Sequence, residues 1–522
     1  MADVNELFSK VTKEMDEKNY DAALATIEEI KKIDPTFKRA LHMEVCIWEE
    51  RKNYVQEYYA TKRLLGVLDY SSTAGKNYAS VMLSQLGGEC TTLGLMTEAK
   101  ESFEMMLKLS ELPAIESVDR AIYFYNLLED TSAEEFRKLY AYYEKYTKNI
   151  VPYPRKFYKH EKIRVGFLSA DFHRHTMMTW SYWLLIGLNK NLFETYFYSN
   201  TAGEDNITKY LRERSDAWHD IKELTDEEAA KLIRDDEIDI LFDLSGYTIG
   251  KRHLVAAYHP ASVQMSGVGY MNSTGLKCFE YFLSDEICAG DENFFVEKLV
   301  KLPRTHICYE PFLAPKIVSE PPCVKNNFVT FGSFNRSCKI SDSMLHAWKE
   351  ILDAVPDSRL ILKNDLFNTD DGKEFFQGRL KRFGFEVERV ELRPFASGWM
   401  SEYNDVDIAL DTFPYTGGVT TCEALYMGVP VVSLYGNRHG TRFGLSILNN
   451  VGLEGLAVSS YDDYVKRAVA LANSRDVLVM LRKELRGEME RSPLMDYKAY
   501  LPEVQDLFVK ILEEQRNLHE AK

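Results

Sequence analysis

The chain has 522 residues, which at roughly 100–200 residues per domain predicts three or four domains and excludes a single small binding module. Hydrophobic residues make up 45% and charged residues 28%, the usage of a folded protein rather than a disordered one. With 64 basic against 80 acidic residues the formal charge is −16, which argues against nucleic acid as a partner and requires any anionic ligand to be held by a few placed groups.

Residues 1–14 are polar and acidic, and the longest strongly apolar stretch, around 180–188, is far short of the ~20 residues that span a bilayer. No signal peptide, membrane span or membrane partner is expected. The eight cysteines are scattered without a C-x-x-C pair, so neither a zinc site nor a secreted disulfide framework is expected, and a reducing cytoplasm is the expected location.

Residues 1–150 are sparse in Gly and Pro and rich in helix formers with 3.6-period apolar positions, which predicts an all-helical region. Asn19-Tyr20 opens a helix that carries Ala23, Ile27 and Ile30 and closes at Asp34-Pro35, and Asn53-Tyr54 opens a similar one 34 residues later. That is the period of a tetratricopeptide repeat. A looser third copy runs from Gly94 through Ala99 to Phe103 and Leu107, with the register lost between the second and third. The expectation is a short solenoid for docking an acceptor protein, with an ordinary helical bundle as the alternative.

After Val151-Pro152-Tyr153-Pro154 the pattern changes to short β-branched runs separated by amphipathic helices. Candidate strands are 163–168, 195–198, 238–242, 263–265 and 281–283, then, beyond the Pro-rich segment 311–322, 329–332, 359–362, 390–392, 408–410 and 429–432. Strands alternating with helices predict parallel sheets, here two doubly wound domains in tandem. The expected divisions are 1–150 helical repeats, 160–315 and 323–500 the two α/β halves, and 501–522 a C-terminal helix. Ligands of such sheets bind beyond the carboxyl ends of the strands, so the loops after Leu168, Gly332 and Leu410 are where chemistry is expected.

Residues 407–425 read as a strand, a glycine-containing loop and a helix. Gly417 and Gly418 allow close backbone approach at a helix N-terminus, and Thr420 and Thr421 can offer N–H and hydroxyl donors to phosphate oxygens. Glu423, read as part of the first helical turn, can accept from ribose hydroxyls. The competing reading is a tight turn with Thr420 capping the helix and Glu423 completing a capping box. Lys339, beyond the end of strand 329–332, can neutralise a diphosphate or simply be a solvated loop lysine. His173 and His175 follow the first strand, where a histidine can act as acid, base or donor, or merely cap the next helix. No ligand cluster accompanies them at metal spacing. Asp405-Val406-Asp407 has the form of an Asp-x-Asp metal motif but reads better as residues leading into strand 408–410, so a metal-independent protein is expected.

Asp171-Phe172-x-x-His175, Leu244-Ser245-Gly246-Tyr247-Thr248, Gly269-Tyr270 with Thr274-Gly275, Phe334-Asn335 with Lys339, Leu410-Asp411-Thr412-Phe413-Pro414-Tyr415 and Gly428-Val429-Pro430 together resemble the O-GlcNAc transferase and SPINDLY family, glycosyltransferase family 41. Order and spacing agree over about 162–507, and the short helical repeats preceding them look like those of a bacterial-type member. The resemblance implies the GT-B fold, two Rossmann-like halves behind an all-α N-terminal region. It implies a nucleotide-sugar donor held mainly by the C-terminal half, and transfer to Ser or Thr of proteins with inversion. It places Lys339 on the donor diphosphate together with Asn335 and Arg336, Val419 and Thr420 around the phosphates with Gly417, Gly418 and Thr421, Glu423 on the ribose, and His175 facing the reacting sugar. Tyr247, Thr274, Gly275 and Trp399 are the implied substrate-side residues. A phosphate-side histidine of the animal enzyme falls on Gly418, its ribose aspartate on Glu423 and a base-flanking histidine on Trp399, substitutions similar to the bacterial and SPINDLY branch.

The implied activity is therefore protein O-glycosylation, with UDP-GlcNAc as the expected co-substrate and no further cofactor. Transfer with GDP-fucose, an asparagine-linked glucosyltransferase, and a non-catalytic repeat scaffold with a degenerate transferase domain are the alternatives. An oligomer is left open.

Overall fold

The structure, a computed structural model, describes residues 3–521. The chain packs as two compact units, one of Met1–Phe124, Phe334–Lys349 and Ile361–Ser397, the other of Tyr125–Ser333, Glu350–Leu360 and Gly398–Lys522.

In the first unit the helices form antiparallel pairs, α1 (Val4–Asp16) with α2 (Tyr20–Ile33), α3 (Lys38–Glu50) with α4 (Tyr54–Leu65), and α5 (Thr73–Leu93) with α6 (Met96–Leu109). The 34-residue spacing has a structural meaning: Asn19 and Asn53 are both N-caps, their side chains accepting from Ala22 N–H and Gln56 N–H. Ala23, Ala60 and Ala99 are fully buried on α2, α4 and α6, where a small side chain lets helices approach closely. Register is lost at α5 because this helix runs 21 residues against 12 to 14 for α1–α4, before Gly94 ends it in the left-handed conformation at φ 77°. α7 (Ile115–Tyr125) follows, then α8 (Ala133–Tyr140) and α9 (Tyr142–Thr147), the last two belonging to the second unit.

The second unit holds a seven-stranded sheet of order β3-β2-β1-β4-β5-β6-β7, parallel throughout. Its strands are β1 (Ile163–Ser169), β2 (Phe193–Ser199), β3 (Ala217–Asp220), β4 (Ile240–Asp243), β5 (Val263–Gly267), β6 (Tyr281–Asp285) and β7 (Lys298–Leu302). The central strands are buried on both faces, which is why they read as continuous apolar runs. The edge strands β3 and β7 are partly exposed and polar, and the apolar pattern did not predict them.

A six-stranded sheet of order β10-β9-β8-β11-β12-β13 is built from β8 (Thr330–Ser333), β9 (Arg359–Asn364), β10 (Val390–Pro394), β11 (Ile408–Leu410), β12 (Val431–Leu434) and β13 (Ala457–Val458). Both sheets are Rossmann-like, as expected. Strand order reverses at β1/β4 in one and at β8/β11 in the other, so the loops leaving β1, β8 and β11 emerge at switch points. The final helix, Tyr497–Glu520, returns to the first sheet, where Phe508 meets Phe193 and Phe242 edge-on and Gln515 donates to the Tyr281 hydroxyl at 2.9 Å. Among the described residues no helix is long and apolar enough to cross a membrane.

Candidate functional site

The loop after β11 is organised by Asp411. One carboxylate oxygen accepts from Thr412 N–H at 2.8 Å and Gly417 N–H at 2.6 Å, and the other from the Ser433 hydroxyl at 2.6 Å. The buried carboxylate thereby folds residues 412–417 back on the strand end and delivers Gly417-Gly418 to the start of the helix Val419–Tyr426. Gly418 is the N-cap and brings no side chain of its own to the first turn, which keeps the donor character of an anion site. Thr420 therefore does not cap the helix, contrary to the competing reading. A Cβ at Gly417 would lie 2.7 Å from Thr421 Oγ1 and 2.8 Å from Asp411 Oδ1, and one at Gly418 would lie 2.2 Å from the Trp180 ring. Only glycine fits under that indole.

Trp180 belongs to α10 (Met178–Ile186), the helix after β1, and also packs on Phe443 at 5.5 Å. It joins the loop carrying Asp171, His173 and His175 to the Gly417-Gly418 turn within one unit. His175 Nδ1 accepts from Met177 N–H at 3.3 Å and stands 3.6 Å from Asp171 Oδ2, while His173 Nε2 is 3.9 Å from Asp171 Oδ1. A neutral ring that accepts at Nδ1 carries its proton on Nε2, an assignment made from this hydrogen bond. Burial pushes the His175 pKa down, opposed by the Asp171 charge, and burial raises that of Asp171.

Glu423 is 6% exposed and accepts from the Trp399 indole N–H at 3.0 Å. Burial raises its pKa to about 7, the indole N–H opposing. The helix begins at Val419, so Glu423 lies beyond the first turn, which holds no acidic residue; it gains less from the helix dipole than expected and completes no capping box. Trp399 opens the 3-10 segment Trp399–Asp405, whose Tyr403 hydroxyl donates to the Thr420 carbonyl at 3.1 Å.

Tyr247, Thr274 and Gly275, expected on the substrate side, are buried or half-buried among the loops of the first sheet. The Tyr247 hydroxyl donates to the Thr274 carbonyl at 2.5 Å. Thr274 is 0% exposed, with both its N–H and its hydroxyl on Glu297 Oε1. Gly275, at φ 68°, lies under the ring of Tyr140 from α8, where a Cβ would come within 2.0 Å. Tyr140 of α8 thus packs into the same loops of the first sheet that carry Tyr247 and Thr274. Asp407 accepts from Cys323 N–H at 2.9 Å and Thr330 N–H at 2.7 Å, tying β8 to the start of β11, which supports the strand-leading reading over a metal pair.

In the first unit, Asn335, Arg336 and Lys339 lie on the segment that leaves β8. Asn335 is buried and Lys339 half-buried in the 3-10 turn Ser337–Lys339. The Ser337 hydroxyl donates to the Thr92 carbonyl of α5 at 2.8 Å. Arg336 is exposed on the same segment, which the Ser337–Thr92 bond ties to α5. Two further anchors accompany it: Asn53 and Gln56 donate to Asp371 Oδ2 at 2.7 and 3.2 Å, and the Tyr54 hydroxyl donates to Asp365 at 3.3 Å.

Sequence reasoning assigned no role to Asp411 and did not single out Trp180. The signal for Asp411 was an acid immediately beyond a buried strand; Trp180 sat in an apolar helix and read as core.

The sequence pattern of the family described as glycosyl transferase family 41 matches residues 143–311 and 322–504. The SPINDLY protein of Solanum lycopersicum, named a probable UDP-N-acetylglucosamine–peptide N-acetylglucosaminyltransferase, is 35% identical over 385 residues, 72% of this chain and 40% of that one. The SPINDLY protein of Arabidopsis thaliana is 37% identical over 350 residues, 65% of this chain and 38% of that one. The chain spans about two fifths of the length of these curated relatives. A solved mutant of the Thermobaculum terrenum O-GlcNAc transferase superposes with a TM-score of 0.85 at 26% identity, covering 99% of this chain and 98% of that one. With the family pattern running through both Rossmann-like sheets, the chain belongs to glycosyl transferase family 41.

Proposed function

We propose that the chain is a protein O-glycosyltransferase that moves GlcNAc from UDP-GlcNAc to Ser or Thr hydroxyls of acceptor proteins, with inversion and without a metal cofactor. The observation that carries this reading is the Gly417-Gly418 turn, held by Asp411 at the N-terminus of the helix Val419–Tyr426, with Glu423 of the same helix paired to Trp399. The first turn cradles the donor phosphates and Glu423 takes the ribose hydroxyls. Transfer builds negative charge on the departing diphosphate, and donors aimed there stabilise the transition state more than the ground state. Lys339 supplies the cation for that charge. His175, with its proton on Nε2, acts as a hydrogen-bond donor to the reacting sugar, and the acceptor hydroxyl gives its proton to a donor phosphate oxygen. The names of the SPINDLY relatives support the donor, and eight free cysteines suit a cytoplasmic setting.

The test is a panel of UDP-GlcNAc, GDP-fucose and UDP-glucose assayed for binding and hydrolysis by the purified chain. UDP-GlcNAc is expected to lead. GDP-fucose alone would move the reaction to O-fucosylation, and silence across the panel would favour a scaffold. Transfer should also survive excess EDTA, because Asp407 is occupied by backbone N–H groups; abolition by EDTA with rescue by manganese would overturn the metal-independent mechanism.

The helical pairs are proposed to dock the acceptor. Tyr54 is not a probe of that docking, since it is half-buried on Asp365. Tyr59, 48% exposed on α4, is. Tyr59→Ala should weaken transfer to an acceptor protein several-fold while donor hydrolysis stays near normal, whereas Tyr54→Ala should lower both together. Equal losses with Tyr59→Ala would assign the repeats a purely structural part.

A further inference from the structure

Behind the phosphate loop, three side chains from separate loops of the second unit meet in the interior. Cys288 follows β6, His306 follows β7, and His439 opens the 3-10 turn His439–Thr441. All three are buried, and one ligand atom from each lies within 4.8 Å of the others. We infer that Cys288, His306 and His439 form a structural zinc site.

Two observations beyond the clustering carry this. Asp285, at the end of β6, receives His306 Nδ1 at 2.5 Å on one carboxylate oxygen, where the Ser446 hydroxyl also donates at 3.0 Å. Its other oxygen accepts from Ile287 N–H at 3.0 Å and Cys288 N–H at 2.6 Å. One buried carboxylate thus orients two of the three ligands, the carboxylate–histidine arrangement that fixes a ring so its other nitrogen can bind metal. That other nitrogen, His306 Nε2, is buried without a hydrogen-bond partner. On His439 neither ring nitrogen makes a hydrogen bond of normal geometry, although the Met271 carbonyl lies close to the ring. Buried polar atoms are ordinarily satisfied, and an unpartnered nitrogen on His306 and another on His439, beside a thiol whose own contact is the His439 carbonyl at 3.6 Å, call for a ligand.

The donor set, two imidazoles and a thiolate, is one that zinc takes and supplies three of the four positions of a tetrahedral shell. Binding forms a sulfur–zinc bond as the Cys288 thiol loses its proton to the buffer, so at least one proton leaves per metal bound. The ligands come from loops far apart in sequence, which is why cysteine spacing gave no sign of them. The site has a mechanical consequence. The Gly440 carbonyl, next to His439, accepts from both the N–H and the hydroxyl of Thr416 at 3.2 Å, and Thr416 leads into Gly417-Gly418. A metal on His439 braces the phosphate loop from behind and touches no donor atom; the metal assignment does not depend on the donor reading.

The experiment is metal analysis of the untagged full chain, expressed in zinc-supplemented medium and passed over chelating resin at neutral pH. About one zinc per chain is expected, falling close to zero in Cys288→Ser and His439→Ala. Replacement by cobalt should give the visible bands of a tetrahedral site and a thiolate-to-cobalt band that Cys288→Ser removes. Wild-type protein with far less than one zinc and no thiolate–cobalt band would overturn the site. So would unchanged metal content in soluble, folded variants. Should the variants fail to fold, the wild-type stoichiometry and cobalt spectrum decide alone.

Discussion

Lys339→Ala should lower turnover by about a hundredfold or more, on the scale of about 3 kcal/mol for one lost transition-state donor. The residue lies on the segment that follows β8. It is also anchored: Ser337, in the same 3-10 turn, bonds to the Thr92 carbonyl of α5, and Lys339 is half-buried rather than waving in solvent. A fixed ammonium costs little reorganisation as charge develops on a leaving diphosphate. The loss should therefore fall mainly on kcat, with donor affinity changed less. Thermal stability should hardly move, because truncating a half-exposed side chain opens no cavity. Lys339→Arg, which keeps charge but not shape, should recover part of the rate. Near-normal kcat in Lys339→Ala would return the residue to an ordinary loop lysine and leave the helix N-terminus as the whole of the diphosphate site.

What the sequence made legible follows from physics that acts locally. Asn19 and Asn53 announced two helix starts because capping is a short-range bond between a side chain and a backbone N–H two or three residues on. The strands β1, β4, β5 and β6 showed as apolar runs because both their faces are covered, and the chemistry-bearing loops followed from alternation of strands with helices. Long-range pairings left no such trace. Gly418 was legible as a glycine of close backbone approach, but it did not show that the Trp180 ring fills the space a side chain would take. Tyr247, Thr274 and Gly275 were legible as a motif, but nothing in it told that Tyr140 and Glu297 pack against them. Tyr54 was legible as part of a helix start, but not as a residue whose hydroxyl bonds Asp365. In each of these cases the partner is more than twenty residues away, where periodicity and spacing carry no signal.

Glu423→Gln should stabilise the fold at alkaline pH while weakening the donor, two opposite changes from one atom swap. The carboxyl is 6% exposed and burial lifts its pKa to about 7 from an ordinary 4.5. A folded-state pKa above the unfolded value means that the folded chain keeps a proton the unfolded chain releases. The stability linked to that proton is complete below about 4.5 and is lost as pH rises through about 7. At pH 8 the fold therefore carries a buried carboxylate at a cost of about 3 kcal/mol, an order-of-magnitude figure from the pKa gap. Glutamine is nearly isosteric, keeps an acceptor for the Trp399 indole N–H and removes the charge. The variant should thus melt higher than wild type at pH 8 and close to it at pH 4.5. Donor binding should move the other way. Ribose hydroxyls gain most from an ionised acceptor, so Glu423→Gln should weaken nucleotide-sugar binding by roughly ten- to a hundredfold at pH 8, the range for a hydrogen bond to a charged group. In wild type the affinity should fall as pH drops below about 7, approaching tenfold per pH unit, and the variant should lose that dependence. Thermal melts and nucleotide-sugar titrations at pH 5, 7 and 8 on both proteins measure all of this. A variant less stable than wild type at pH 8 would deny the buried charge, and a pH-independent wild-type affinity would take Glu423 off the ribose, because a carboxylate that binds the donor in its ionised form has to pay for each proton it sheds.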